Sequence, residues 1–285
     1  MRAWRLAGAA AEPLAEEGAA AAALWDAGAG AVWIDGADLV GYFDDASGPP
    51  PGGGRWEAVD DADHVGAYLA ALGPVDCGAV VVAPTHREVA LRPAQQVVWC
   101  DPGMAFGSGH HETTRLALEA LGRVPLAGRR VLDVGAGSGV LAIAADRLGA
   151  ADACGLDIDA DTVPVAQANA GLNRSRARFV AGGFGEAPVA TPPVGPLAVP
   201  PVVPPLGPVD VLVANLNAEL HAAFLPAYAA LAAPGADLLL TGILDPRDAL
   251  VREALARLPA DGARLALVDE RRDGPWWLLH LRRGG

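Results

Sequence analysis

From about Arg129 onward the chain alternates between short apolar runs of β-forming residues and amphipathic stretches of helical length. No other feature restricts the possible folds as strongly. "RRVLDV" leads into "SGVLAIAADRLG", "DACGLD" into "DTVPVAQANAGL", and "VDVLVAN" into a helical stretch from Asn217 to Ala233. "ARFVAG", "ADLLLTG" and "RLALVD" supply further strands, a second helical stretch spans Pro246 to Leu258, and "WWLLHLRR" ends the chain as a strand. Strands this apolar need cover on both faces, and helices placed between them supply it. The pattern predicts an α/β fold with an open, mostly parallel sheet.

The earlier part of the chain reads differently. Residues 2–45 form a small α+β pattern: "AWRLAG" as a strand, "PLAEEGAAAAALWDAG" as a helix ended by glycine, and "AVWIDG" with "DLVGYF" as two strands joined by an Asp-Gly turn. The breaker cluster "ASGPPPGGG", Ala46 to Gly54, marks the best boundary. A helix, "DADHVGAYLAALG", and the β-like runs "GAVVVAP" and "QQVVWC" follow. The expected division is a small domain over 1–50, a linker and helix over 51–75, and the main α/β domain over 76–285. Residues 182–208 hold nine prolines, which allow neither helix nor ladder, and are expected to be an extended insertion between the third and fourth strands of the sheet.

Composition narrows the functional classes. A length of 285 residues with 52% hydrophobic content suffices for real cores. A net charge of −13 argues against a non-specific nucleic-acid binder, which needs a basic footprint. All 21 basic residues are arginine, a compositional bias in which we read no mechanism. Three widely spaced cysteines without a CxxC pair fit reduced thiols and offer no zinc site. The apolar run Gly18 to Leu24 is too short for a membrane span, so the expected location is the cytoplasm.

The chemistry concentrates at "VLDVGAGSGVLAIA". Asp133 ends a strand, Gly135, Gly137 and Gly139 form a turn, and a helix follows, so a ligand can approach the backbone at the carboxyl ends of the strands. A dinucleotide fingerprint would need glycine at position 140, where Val140 stands, and no Gly-Lys-Ser/Thr follows to make a Walker loop. Asp157, in "GLDID", ends the next strand 22 residues after Gly135, where its carboxylate can accept hydrogen bonds from both hydroxyls of a ribose. Its competing role is to cap the next helix, for which Asp159 is better placed. No basic residue accompanies either acid as a phosphate would require. A phosphate-free nucleoside with a positively charged tail fits them better, which describes S-adenosylmethionine.

"PGMAFGSGHHETT", "VLDVGAGSGVLAIA", "GLDID", "VANLNAELH" and "LLTGIL" together resemble the PrmA-type methyltransferase family, which modifies ribosomal protein L11. The five blocks match in order and spacing over residues 102–244, interrupted by the Pro-rich insertion. The resemblance implies a seven-stranded, Rossmann-like class I methyltransferase sheet and a small N-terminal substrate-recognition domain, although residues 1–50 match the family in layout more than in sequence. It implies S-adenosylmethionine as cofactor, in contact with Phe106, Gly107, Thr114, Asp133, Gly135, Gly137, Asp157 and Asn215. It further implies a monomeric enzyme that methylates the α-amine and lysine side chains of a ribosomal protein, without a direct nucleic-acid or membrane partner.

Two histidines stand inside the first block. "HETTR" misses the zinc-protease pattern H-E-x-x-H because Arg115 occupies the second histidine position, and adjacent His110 and His111 point about 100° apart on a helix. They are expected to support the site, with one of them able to face substrate, and Ser108 or a later polar residue to cap the helix "ETTRLALEAL". Ser108 stands where the family usually has threonine, so the hydroxyl is kept. Asn215 ends a strand at the same edge as Asp133 and Asp157, as either an amine-positioning residue or a helix cap; the resemblance favours the first. Asn217 replaces a bulkier family residue, and Glu219 and His221 are either near substrate or on the surface. Three readings stay open beside protein methylation: a small-molecule or RNA acceptor, a non-catalytic cofactor-binding scaffold, and a dehydrogenase, the last opposed by Val140.

Overall fold

The computed structural model describes residues 2–9, 19–27, 29, 31–35, 37–43, 50, 52–58, 73–85, 87–101, 109–184, 208–258 and 264–285. They fall into two compact units. The first contains β1 (Arg2–Leu6), α1 (Ala19–Asp26), β2 (Ala31–Asp35), β3 (Asp38–Phe43) and β4 (Arg55–Ala58). The second begins with β5 (Val75–Cys77), β6 (Val80–Ala83), β7 (Gln96–Trp99) and α2 (Glu112–Leu121), then β8 (Arg130–Val134), α3 (Val140–Arg147), β9 (Asp152–Asp157), α4 (Thr162–Leu172) and β10 (Arg178–Ala181). It continues through β11 (Val209–Asn215), α5 (Ala218–Leu231), β12 (Ala232–Leu244), α6 (Asp248–Arg257), β13 (Leu265–Asp273) and β14 (Trp276–Arg283).

The small unit is an antiparallel sheet in the order β2-β3-β1-β4, with Trp4, Leu6, Leu24, Leu39 and Phe43 buried together. The breaker cluster is not where this sheet ends. β4 lies beyond residue 50, in the span 51–75 predicted as linker and helix, and pairs with β1 through Trp4 and Trp56. Four residues of "RWEA" carry too little periodicity to be read as a strand; the edge of β1 and the edge-on packing of Trp56 against Trp4 at 5.1 Å make them one. The helix predicted within 51–75 lies outside the described residues, as does most of the Pro-rich stretch 182–208.

In the second unit the predicted alternation becomes a seven-stranded sheet ordered β10-β9-β8-β11-β12-β14-β13. All neighbours are parallel except β14, which runs antiparallel to both β12 and β13. Side chains alternate across the strands as a pleat requires. Val131, Val211, Val213 and Leu239 face the core beneath α2 and α3, while Leu132, Leu212, Leu238 and Leu240 face α5 and α6. Each such fully buried aliphatic side chain contributes roughly 1.5–3 kcal/mol. A separate three-stranded sheet, β5-β6-β7, packs beside α2 and α3. Among the described residues no helix is long and apolar enough to cross a membrane.

A charged cluster secures the amino-terminal edge of the large sheet. Asp237 of β12, 3% exposed at its side chain, accepts from His280 at 2.8 Å, Arg282 at 2.7 Å and Arg129 at 2.7 Å. Burial works to raise its pKa, but the hydrogen bonds from His280, Arg282 and Arg129 outweigh burial and hold the carboxyl well below the usual range. Truncating one partner of such a cluster strands the others. Asp237→Ala is expected to lower unfolding free energy by about 2–4 kcal/mol in urea titration; a loss under about 1 kcal/mol would mean the cluster is surface decoration.

Candidate functional site

The strand order reverses at β8: β9 and β10 lie to one side and β11 and β12 to the other. Ligands of open α/β sheets bind at such a switch point, beyond the carboxyl ends of the strands. Asp133 and the glycine turn leave β8 there, Asp157 ends β9, and Asn215 ends β11.

The glycine turn is built for close approach. Gly135, Gly137 and Gly139 all have positive φ, at 75°, 49° and 81°, where a side chain is strained. A Cβ on Gly135 would lie 2.6 Å from Leu216 Cδ2, and one on Gly139 2.6 Å from the Phe179 ring. The amides of Gly135 and Ala136 donate to the Leu156 carbonyl at 2.8 and 3.1 Å, which ties the turn to β9.

Asp157 holds this turn from below. Its carboxylate accepts the Gly137 amide at 2.7 Å and the Asp159 amide at 3.0 Å. An ionised carboxylate has about four acceptor sites, so roughly two stay open. Neither Asp157 nor Asp159 caps α4, whose N-cap residue is Asp161 with no side-chain capping bond; Asp159 instead accepts the Asp161 amide at 2.9 Å, and its carbonyl accepts from Thr162, in the turn before the helix. A small cleft between Gly137, Asp157, Val163 and Phe179 runs beside this carboxylate.

Asp133 is wholly buried. Its Oδ2 accepts the Ala142 amide of α3 at 3.1 Å, while its Oδ1 is buried without a hydrogen-bond partner among the described residues. Burial pushes its pKa up to about 7, with the Asp157 charge adding to the rise and the Ala142 hydrogen bond opposing it.

Across the edge, the Asn215 amide nitrogen lies 3.4 Å from the Thr114 hydroxyl, so the structure brings these two predicted residues together. Thr114 is buried in the first turn of α2. His111 is the residue that caps this helix: its Nδ1 accepts the Thr113 amide at 3.3 Å and lies 2.8 Å from the Thr113 hydroxyl, and its ring meets Trp276 edge-on at 5.1 Å. Among the described residues no group of three or more His, Cys, Asp and Glu side chains could hold a metal. Phe106, Gly107 and Ser108 lie outside the described residues.

The helix after Asn215 is capped by Asn217, whose side chain accepts the Leu220 amide at 2.9 Å. Asn215 is thereby free of that duty. Glu219 pairs with Arg247 at the surface at 2.7 Å. His221 is fully buried rather than on the surface, with Nε2 2.8 Å from the Thr241 carbonyl. Burial draws its pKa down to about 4, against the upward pull of the Thr241 and Leu216 carbonyls, so the ring is neutral near pH 7.

Two supporting residues have only a faint sequence signal, a pair of asparagines four apart in the last turn of α4 and at its C-cap. Asn169, 1% exposed, donates to the Ser138 carbonyl at 2.9 Å and accepts the Asp101 amide at 3.0 Å. Asn173 pairs with the Trp99 backbone through both its oxygen, at 2.8 Å, and its nitrogen, at 2.6 Å. They fasten the glycine turn and the end of β7 to one helix, contacts that only the tertiary structure assembles.

A parallel sheet with one reversed strand beside its edge, a glycine turn after the first strand of the alternation and an acid at the end of the next define the class I methyltransferase fold. The profile of the ribosomal protein L11 methyltransferase (PrmA) family matches residues 44–283. The chain belongs to this family. It is 44% identical to the ribosomal protein L11 methyltransferase of Thermus thermophilus over 91% of its length and 92% of that protein. Its identity to the one of Deinococcus radiodurans is 43%, with the same shares covered. The crystal structure of ribosomal protein L11 methylase from Lactobacillus delbrueckii superposes with a TM-score of 0.61 at 26% identity, covering 75% of this chain and all of that one.

The raised pKa of Asp133 has a consequence for stability. In the unfolded chain the carboxyl ionises near 3.8, in the folded chain near 7, so the folded state disfavours the charge and loses stability as pH rises between these values. Asp133→Asn removes that burden. The variant is expected to gain stability relative to the native chain from pH 5 to 7 and to show no further gain above pH 8, in urea melts across that range. A gap independent of pH would show that Asp133 does not titrate there.

Proposed function

We propose that this chain transfers methyl groups from S-adenosylmethionine to the α-amine and lysine side chains of ribosomal protein L11. The observation that carries the reading is the meeting of the glycine turn, Asp133, Asp157 and the Thr114–Asn215 pair at one carboxyl edge. The names of the relatives, which match over most of the chain, support the acceptor.

The residues present fit the cofactor. The two open acceptor sites of Asp157 suit a ribose diol, and the side-chain-free turn admits the ligand against the backbone. The buried Oδ1 of Asp133, unpartnered among the described residues, favours positive charge nearby, as the amino-acid tail would bring. The amino terminus of α2, with the Thr114 hydroxyl, suits the tail's carboxylate. S-adenosylmethionine supplies a methyl group already activated on a sulfonium.

What remains for the protein is to align the acceptor. The Asn215 side-chain oxygen can accept a hydrogen bond from the incoming amine and hold its lone pair toward the methyl group, and alignment of this kind supplies much of the barrier reduction in such a displacement. The amine must be neutral. An α-amine with a pKa of about 7.7–8.0 meets that near neutrality, whereas a lysine near 10.4 must be desolvated first. His221 is not the base: its Nε2 is turned to a carbonyl and the ring is sealed from the edge. No described side chain stands out as a general base, and a neutral amine attacking a sulfonium needs none for the transfer itself. The net charge of −13 would favour encounter with a basic acceptor protein.

The test is incubation with methyl-labelled S-adenosylmethionine and recombinant L11, followed by peptide mass spectrometry. Label should appear on the terminal and lysine amines. Asp157→Ala should weaken cofactor binding about 10–100-fold, the equivalent of one or two hydrogen bonds to a charged group, and abolish labelling at low cofactor. Cofactor binding without labelled L11 would reassign the acceptor, and absence of cofactor binding would sink the reading as a whole.

A further inference from the structure

The loop Asn215–Asn217 must present the Asn215 side chain at a fixed place, and three contacts hold it. Asn215 pairs in register with Thr241 of β12, and the Leu216 amide donates to the Thr241 carbonyl at 3.0 Å. The same carbonyl receives His221 Nε2 at 2.8 Å from the first turns of α5, so both of its lone pairs are used. Gly242, at φ 84°, backs the loop so closely that a Cβ there would lie 2.4 Å from the Leu216 carbonyl oxygen and 2.8 Å from Asn215 Oδ1.

His221 is an unusual choice for that position. It is fully buried, and among the described residues its Nδ1 has no hydrogen-bond partner, although the Leu216 carbonyl also acts on the ring. Leaving a buried polar atom unpaired is unfavourable, and an apolar side chain of similar size would fill the space without that penalty. Packing therefore does not explain the histidine, whereas the Nε2–H donor does. It locks the start of α5 to the carbonyl that also anchors Leu216.

We infer that His221 is a positioning residue for methyl transfer: through the shared Thr241 carbonyl it fixes the loop that carries Asn215, and so aligns the acceptor amine. This rests on the methyltransferase reading above. His221 touches neither the glycine turn nor Asp157, which hold the cofactor side of the site from β8 and β9. The loop it holds also carries Leu216, which packs over Gly135, and Asn215, which meets Thr114, so loss of His221 should fall chiefly on turnover, with a lesser effect on cofactor affinity.

The experiment compares the native chain with His221→Leu, which fills the space without a donor, and His221→Gln, which places an amide nitrogen near the original Nε2. Thermal melts establish folding, calorimetry with S-adenosylhomocysteine gives the cofactor Kd, and labelling of L11 gives kcat and KM. His221→Leu should keep Kd within about threefold and lose about 10–100-fold in kcat, the scale of a misplacement near 1 Å. His221→Gln should recover kcat to within about fivefold. If the leucine variant does not fold, His221→Asn, too short to reach Thr241, takes its place with the same expectation. A folded donor-less variant with native kcat overturns the inference, as does one whose kcat and cofactor affinity fall together, or a glutamine variant no better than leucine.

A readout without acceptor separates this from the choice of substrate. The side-chain amide signals of Asn215 in nitrogen-15 NMR should be dispersed in the native and glutamine variants and broadened or averaged in the leucine variant. If the native chain binds cofactor yet leaves L11 unlabelled, the acceptor is reassigned and this signal still decides the role of His221. Identical Asn215 signals in all three would overturn it.

Discussion

The parallel pairing of β8 with β11 is the constraint on which the rest depends. Val131 to Val134 run alongside Val211 to Ala214, which brings residues some eighty positions apart to a common edge, whatever the chain does between them. Parallel strands end together, so the turn after β8, the acid after β9 and the amide after β11 face one crevice. A long connection between β10 and β11 is tolerated because loop-closure cost grows only slowly with length.

Around that edge the structure spends its glycines where backbone or side chains crowd. Leu216 fills the space above Gly135, and Phe179 fills that beside Gly139 and Gly155. The glycine turn thus serves two purposes: it lets a ligand near the backbone and it lets the walls of the site close upon it. Polar groups that cannot be wet are satisfied locally, as where Asp157 accepts two amides and Asn169 spans from the glycine turn to Asp101. Among the described residues, Asp133 Oδ1 and His221 Nδ1 are buried without a hydrogen-bond partner, and so are the Trp4 and Trp277 indole nitrogens, the Tyr228 hydroxyl and Arg283 Nε.

The asparagines and histidines show how far a sequence carries a role. Asn215 and Asn217 both follow a strand and precede a helix, and either could cap it; backbone geometry gives the cap to Asn217. His111 reads as one half of a broken metal motif and proves to be a helix cap packed against Trp276, a residue 165 positions further on. His221 reads as exposed or near substrate, and burial of the whole α5 face against β12 places it inside. For Asn217 the deciding partner is the Leu220 amide three residues on, whereas both histidines are settled by a distant strand.

Periodicity and punctuation in the chain determined the α/β class, the strands and helices of the large sheet and the glycine turn with its two acids, because apolar spacing and backbone permissiveness are local properties. "VDVLVAN", "ETTRLALEAL" and "WWLLHLRR" end where the observed elements end. The end of the small sheet escaped that reading, since β4 exists only by pairing with β1 across a run of prolines and glycines. The reversal of β14, the closure of Asp157 on Gly137, the Thr114–Asn215 pair and the shared Thr241 carbonyl were likewise decided by tertiary structure alone. Hydrogen bonds between residues far apart in the chain leave no periodic trace in it; they form only when the packed sheet sets the distance.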